Sequence, residues 1–281
     1  MIRGLYTATS GMLCQEAKTD ILANNLANVN TSGYKKDKVI FKDFPSMLLR
    51  RINDPNKKLH ELKVDPAPYV GKMGTGAIVD QIYNDKTQGE LRETGNSMDF
   101  GLMGDGFFTV NTQNGPAFTR NGAFKISAGN KLSTLDGLPV LAKIAGGNNS
   151  SLAIDKHGNL TSDIVEVSIP ENTKSFSVAK DGTVYIDGDA KYKLLVVNFD
   201  NPNRLLKRGK NLFFPKSGSG EGIIATNTEV LQGKLENSNV STIESMVKMI
   251  SAQRSYEANQ KVITSEDQLL GKAVNEVGRT S

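Results

Sequence analysis

The chain of 281 residues has no tryptophan, one cysteine and two histidines, and each shortage removes a class of chemistry. The single thiol, Cys14, cannot close an intrachain disulfide or build a thiolate metal cluster, and it reads as a small helix residue. His60 falls in a connector and His157 in a turn, so a catalytic triad would have to take its base from a loop without a supporting motif. There is no His-Glu-x-x-His, no Cys-x-x-Cys and no spaced His/Asp cluster, so neither metal nor cofactor is expected. Asp187-Gly188-Asp189 lacks the alternating oxygen ligands of a calcium loop and reads as a tight turn. In Gly71-Lys72-Met73-Gly74-Thr75-Gly76 the Gly-Lys pair precedes the other glycines and no helix signal follows, so it reads as the way into a strand and not as a phosphate loop. No pair of carboxylates stands out for hydrolysis. The chain is not expected to be an enzyme.

Long apolar runs are also lacking. Met1-Ile2-Arg3-Gly4 leads into no uninterrupted apolar stretch, so neither a signal peptide nor a transmembrane helix is expected. Hydrophobic residues make up 38% and aromatics 6%, a thin-cored composition, and the length favours two modest units over one core. The net charge of +4 is local: between Lys35 and Lys63 nine Lys/Arg face four Asp/Glu, which leaves the remainder slightly negative. With few aromatics there (Phe41, Phe44, Tyr69) and no binding module, nucleic acid is not expected. A solvated or subunit-facing connector is the simpler reading, and contact with an anionic wall polymer or membrane surface the sharper one.

What is present is a change of periodicity along the chain. From Ile2 to Val29, Leu5, Met12, Leu13, Ile21, Leu22 and Leu26 recur at three-, four- and seven-residue spacings, the pattern of a helix. Gly4 and Gly11 weaken its start by roughly 1 kcal/mol each, and the Asn24 to Gly33 run ends it near Asn28 to Gly33. A second, proline-free helix is expected from about Ser241 to Val277. There Met249, Tyr256, Ile263 and Leu270 repeat every seven residues, and a companion seam of Ala252, Asn259, Glu266 and Ala273 is small or polar. Such a seam calls for close approach by several neighbours.

Between the ends, short runs such as Phe107–Val110, Ile164–Ile169, Thr183–Ile186 and Leu194–Val197 alternate with turn signals at Asn121-Gly122, Asp136-Gly137, His157-Gly158-Asn159 and Asp181-Gly182. The expected class is α+β: N- and C-terminal helices that pair, coiled-coil-like, as an assembly domain, around a central, mainly antiparallel β domain. The expected divisions are 1–34 for the first helix, 35–75 for an extended basic connector, 76–230 for the β domain and 231–281 for the second helix. Ser217 to Gly222 reads as a loop.

Four segments carry a resemblance. Asn24-Asn25-Leu26-Ala27-Asn28 with Thr31-Ser32-Gly33-Tyr34-Lys35 stands near the start. Gly104-Asp105-Gly106-Phe107-Phe108 and Phe118-Thr119-Arg120-Asn121-Gly122-Ala123-Phe124 stand in the middle. Near the end, Gln232-Gly233 and Leu235-Glu236-Asn237-Ser238-Asn239-Val240 lead into Gln253-Arg254-Ser255-Tyr256-Glu257-Ala258-Asn259. In this order they resemble the bacterial flagellar rod and hook axial proteins. The resemblance implies a structural subunit that stacks helically into the drive shaft transmitting motor torque to the hook, located in the basal body across the cell envelope. It implies as partners further copies of the chain, other rod and hook axial proteins, the bushing rings around the rod, and the type III export apparatus, through which subunits pass unfolded without a cleaved signal.

Hook subunits commonly carry larger outer domains, so a rod subunit is expected, distal in preference to proximal; a surface β-domain binding module is the non-flagellar alternative. The expected subunit interface comprises Leu5, Met12, Leu22, Asn24, Asn25, Leu26, Asn28, Asn237, Asn239, Met249, Tyr256, Ile263 and Leu270, with Leu48, Arg50, Arg51, Lys57 and Lys58 in a rod-specific connector. The amides of Asn24, Asn25 and Asn28 are expected either to cap the helix or to fix register between subunits.

Overall fold

The computed structural model describes residues 2–51, 69–145, 152–154, 164–216 and 222–277. The chain is α+β, with a helix at each end and an antiparallel β domain between them. It divides into two compact units. One comprises residues 1–24, 37–83 and 243–281, the other residues 25–36 and 84–242, a division that cuts across the boundaries expected at 34, 75 and 230.

In the first unit, helix α1 (Ile2–Ala27) and helix α2 (Thr242–Lys272, continued by a π turn at Ala273–Val277) each bear one covered stripe. On α2 it runs through Ser245, Met249, Ala252, Tyr256, Asn259, Ile263, Glu266, Leu270 and Ala273, so both seven-residue seams lie on one face. On α1 it runs through Gly4, Ala8, Gly11, Gln15, Lys18 and Leu22. The glycines that weaken the helix in isolation have a use here. A Cβ at Gly4 would stand 2.9 Å from Glu266 Oε1, and one at Gly11 2.8 Å from Asn259 Nδ2. The two helices thus meet antiparallel, with α2's polar seam set against α1's smallest residues. Among the described residues, no helix is long and apolar enough to cross a membrane.

The same unit holds two ladders. Asp37–Asp43 pairs with Ala77–Asn84, and Met47–Arg50 pairs antiparallel with Tyr69–Met73. The second ladder is thinly covered: Met47, Leu48, Leu49, Tyr69 and Val70 are all exposed.

The second unit is built on two sheets. A seven-stranded sheet runs, in spatial order, through residues 152–154, 222–224, 196–199, 107–112, 115–119, 212–215 and 205–207. A five-stranded sheet runs through 164–166, 141–144, 189–194, 183–186 and 176–178. Successive strand residues point to opposite faces, so Phe107 and Phe108 serve two different clusters. Phe108 and Val110 join Val184, Ile186 and Leu194, whereas Phe107 joins Phe118, Val197, Phe199 and Phe213. The run Leu194–Val197, expected as one strand, is divided: Asp189–Leu194 belongs to the five-stranded sheet and Val196–Phe199 to the seven-stranded one. Leu195 makes the crossing, donating to Leu141 O at 3.1 Å and accepting from Thr109 N at 3.1 Å. The Asp187-Gly188 turn has φ of 55° and 91°, the doubly positive pair of a two-residue hairpin. The expected turn at His157 and the loop at Ser217 lie outside the described residues.

Candidate functional site: a buried charge node at the helix junction

Helix α1 ends in tight turns. The N–H groups of Asn28 and Val29 donate three residues back, to Asn25 and Leu26, each at 3.2 Å. Gly33 then takes φ +67°, and a side chain there would meet Asn121 N at 2.4 Å and Arg120 C at 2.5 Å. Only glycine fits, for both its backbone region and its clearance. This bend delivers Tyr34 and Lys35 into the interior of the β unit, where both are buried.

Lys35 Nζ donates to Glu236 Oε1 at 2.6 Å and to Thr87 O at 2.6 Å. The other carboxylate oxygen, Glu236 Oε2, accepts from Arg120 at 3.3 Å, while Gly89 N–H donates to Glu236 Oε1 at 2.8 Å. Arg120 also donates to Gly104 O at 2.7 Å and lies over the Phe107 ring. All three charged side chains are at most 3% exposed. Buried charges require pairing and full hydrogen bonding, and one carboxylate here answers two cations. Burial pulls Lys35 and Arg120 below their ordinary values, and the charge of Glu236 opposes that shift in both.

The backbone around the node is held by the same residues. Gly33 N–H donates to Glu236 O at 2.7 Å, and Lys36 N–H to Asn239 Oδ1 at 2.8 Å. Asn239 Nδ2 donates in turn to Asp85 O at 2.9 Å and Thr87 O at 3.1 Å. Lys207 Nζ sits 3.8 Å from the Tyr34 ring centroid and donates to Lys35 O at 3.1 Å. Residues 33–35, 104, 120 and 236 thus bring all four sequence segments of the resemblance to one place. What the arrangement can do is fasten residues 33–36 to the β unit.

The interface residues expected from sequence distribute unevenly. Asn25 is buried and accepts from Tyr34 Oη at 3.1 Å; Asn28 Oδ1 accepts from Thr31 Oγ1 at 3.3 Å; Asn24 is exposed. Asn239 belongs to the node's frame, and Asn237 N–H donates to Glu90 O at 2.8 Å. Leu22 is buried, Leu5, Met12 and Leu26 are half-covered on α1, and Met249, Tyr256, Ile263 and Leu270 are half-covered on α2. Leu48 and Arg50 lie in the exposed ladder, Arg51 follows it, and Lys57 and Lys58 lie outside the described residues. Sequence reasoning missed Lys35, Arg120 and Glu236 as a group. Each stands inside a segment quoted above, but polar neighbours such as Thr119 and Asn121 beside Arg120 give no local sign of burial.

Comparison with known proteins matches three stretches in chain order. A family described as "Flagella basal body rod protein" matches residues 5–35, a "Flagellar hook protein FlgE/F/G D1 domain" residues 101–186, and a "Flagellar basal body rod FlgEFG protein C-terminal" residues 231–276. The chain is 36% identical to "Flagellar basal-body rod protein FlgG" of Buchnera aphidicola subsp. Baizongia pistaciae, over 97% of this chain and 98% of the relative. Against the protein of the same description in Borreliella burgdorferi it is 34% identical, over 98% of each chain. Against that of Bacillus subtilis it is 32% identical, over 98% and 99%. On this likeness across nearly its whole length, the chain belongs to the flagellar basal-body rod protein family.

Proposed function

We propose that the chain is a structural subunit of the flagellar rod, in its distal segment, that polymerises helically into the shaft between motor and hook. The observation that carries this reading is the full-length likeness to proteins described as flagellar basal-body rod protein FlgG, the distal rod protein. In this reading α1 and α2 pair in a coiled-coil-like way along their seven-residue stripes, and the chain has no catalytic role. Its partners are further copies of itself, the adjoining rod and hook proteins and the surrounding bushing rings. It reaches its place across the envelope through the type III export apparatus.

The reading is supported physically by the ends. Helix α2 exposes Ile243, Val247, Ile250, Val262 and Leu269, and α1 exposes Tyr6 and Leu13, on faces that α1 and α2 leave uncovered in the single chain. Exposed apolar stripes of this kind are buried by neighbours in a polymer. The test is deletion of the gene in its own bacterium, followed by imaging of basal bodies. Rods that stop short of the hook, restored by the gene in trans, are expected; rods of full length overturn the reading.

A further inference from the structure

The charge node has an order of assembly written into it. Both cations, Lys35 and Arg120, come from the earlier part of the chain, and their shared carboxylate is Glu236, 201 positions after Lys35 and 116 after Arg120. The segment 33–36 is pinned to the same late stretch through Gly33 N–H to Glu236 O, Lys36 N–H to Asn239 Oδ1, and Asn239 N–H to Tyr34 O at 3.4 Å. Without residues 234–239, the two cations would lose the carboxylate that both contact, keeping only the more distant Asp85 and Asp105, and three backbone groups would lose their partners. Two like charges in that position repel, and neither tolerates burial alone.

We propose that Glu236 is a closure latch: residues 33–36, and with them the end of α1, seat on the β unit only when strand Lys234–Glu236 has docked against Leu91–Glu93. Until then residues 33–36 stay unseated. The latch rests on the geometry of one chain. Its use, holding back polymerisation until the late strand has emerged, rests on the rod reading above.

Two experiments on the full chain test it. In refolding from urea followed by pulsed hydrogen exchange, the reporter is the Asp85 amide, which donates to Lys36 O at 2.9 Å and touches no late residue through its own bond. It is expected to gain protection in the same phase as the Asn237 amide, which reports docking of the late strand, and not before. Protection of Asp85 ahead of Asn237 overturns the proposal. In the folded Glu236→Gln variant, which keeps the size but removes the charge and turns one of the two accepting oxygens into a donating amide, exchange at Asp85 should quicken by about tenfold or more relative to the core amide of Thr109. Equal quickening at both sites, or none at Asp85, overturns it. The refolding experiment uses the unaltered chain, so it decides the matter even where the variant does not fold. It is made on monomers, so failure of the rod reading leaves its outcome unaffected.

Discussion

Lys35 and Glu236, 201 positions apart in the chain, close a 2.6 Å ion pair in which solvent reaches neither side chain. The pair ties the turn after α1 to the strand before α2. Removing either partner has unequal effects. Glu236→Leu leaves Lys35 and Arg120 buried without the carboxylate that both contact and is expected to cost about 3–5 kcal/mol. Lys35→Met leaves the Arg120 pair intact and should cost less, roughly 1–3 kcal/mol. Urea unfolding of the monomer checks the order, and a larger loss for Lys35→Met contradicts this account of the node.

Gly33 combines a positive φ with a missing Cβ that has nowhere to go, 2.4 Å from a backbone nitrogen. Gly33→Ala is therefore expected to destabilise by more than the roughly 1–2 kcal/mol of left-handed strain alone. Gly115, with φ +105° but nothing within 4 Å of its Cβ position, is the control. Its alanine variant should lose only the strain. Thermal melts of the two variants side by side separate clearance from conformation.

Acid should weaken the β unit through Glu166. Hydrogen bonds from Lys131 at 2.6 Å and Asn111 at 3.1 Å hold its carboxyl below the ordinary 4.5. Because the folded value is depressed, the contribution is complete above the unfolded value and disappears as pH falls through the folded one. Asp181, held down by hydrogen bonds from Thr183, acts in the same direction. Melting temperatures measured from pH 7 downward should fall below about pH 4.5, and Glu166→Gln should make that fall shallower. An identical slope in the variant removes Glu166 from the explanation.

Gly11 separates helix strength from helix fit. Leucine there favours an isolated helix by roughly 1 kcal/mol, yet it would collide with Asn259, whose Nδ2 lies 2.8 Å from the Cβ position. Gly11→Leu is expected to abolish polymers seen by electron microscopy while the β unit unfolds at its usual urea concentration. Normal filaments from this variant would show that assembly does not need the close approach of α1 and α2 at Gly11.

Both helices, their approximate ends and the strands that hold Phe107–Val110 and Thr183–Ile186 were legible because periodicity and turn chemistry are local. Thr183–Ile186 was found in its expected place, and the Asp187-Gly188 turn beside it. Leu194–Val197 was misjudged as one strand because an apolar run carries no mark of the residue at which the chain changes sheets. Glycines 4 and 11 were legible as weak points of an isolated helix but not as the places where Glu266 and Asn259 come close, since that depends on a partner more than 240 positions away. The node was hidden for the same reason. A lysine after a glycine turn resembles a solvated residue until the chain brings Glu236 beside it.

The ladder of Met47–Arg50 with Tyr69–Met73 has a consequence for the free chain in solution. A two-stranded ribbon with apolar residues exposed is a template for unwanted strand addition. Leu48 faces Lys72 in register, Arg50 faces Tyr69, and Arg51 follows. Cations interleaved in this way act as gatekeepers, making edge-to-edge contact between identical ribbons repulsive. Arg50 and Lys72 are thus expected to oppose aggregation of the ribbon, an effect that should fade as salt rises.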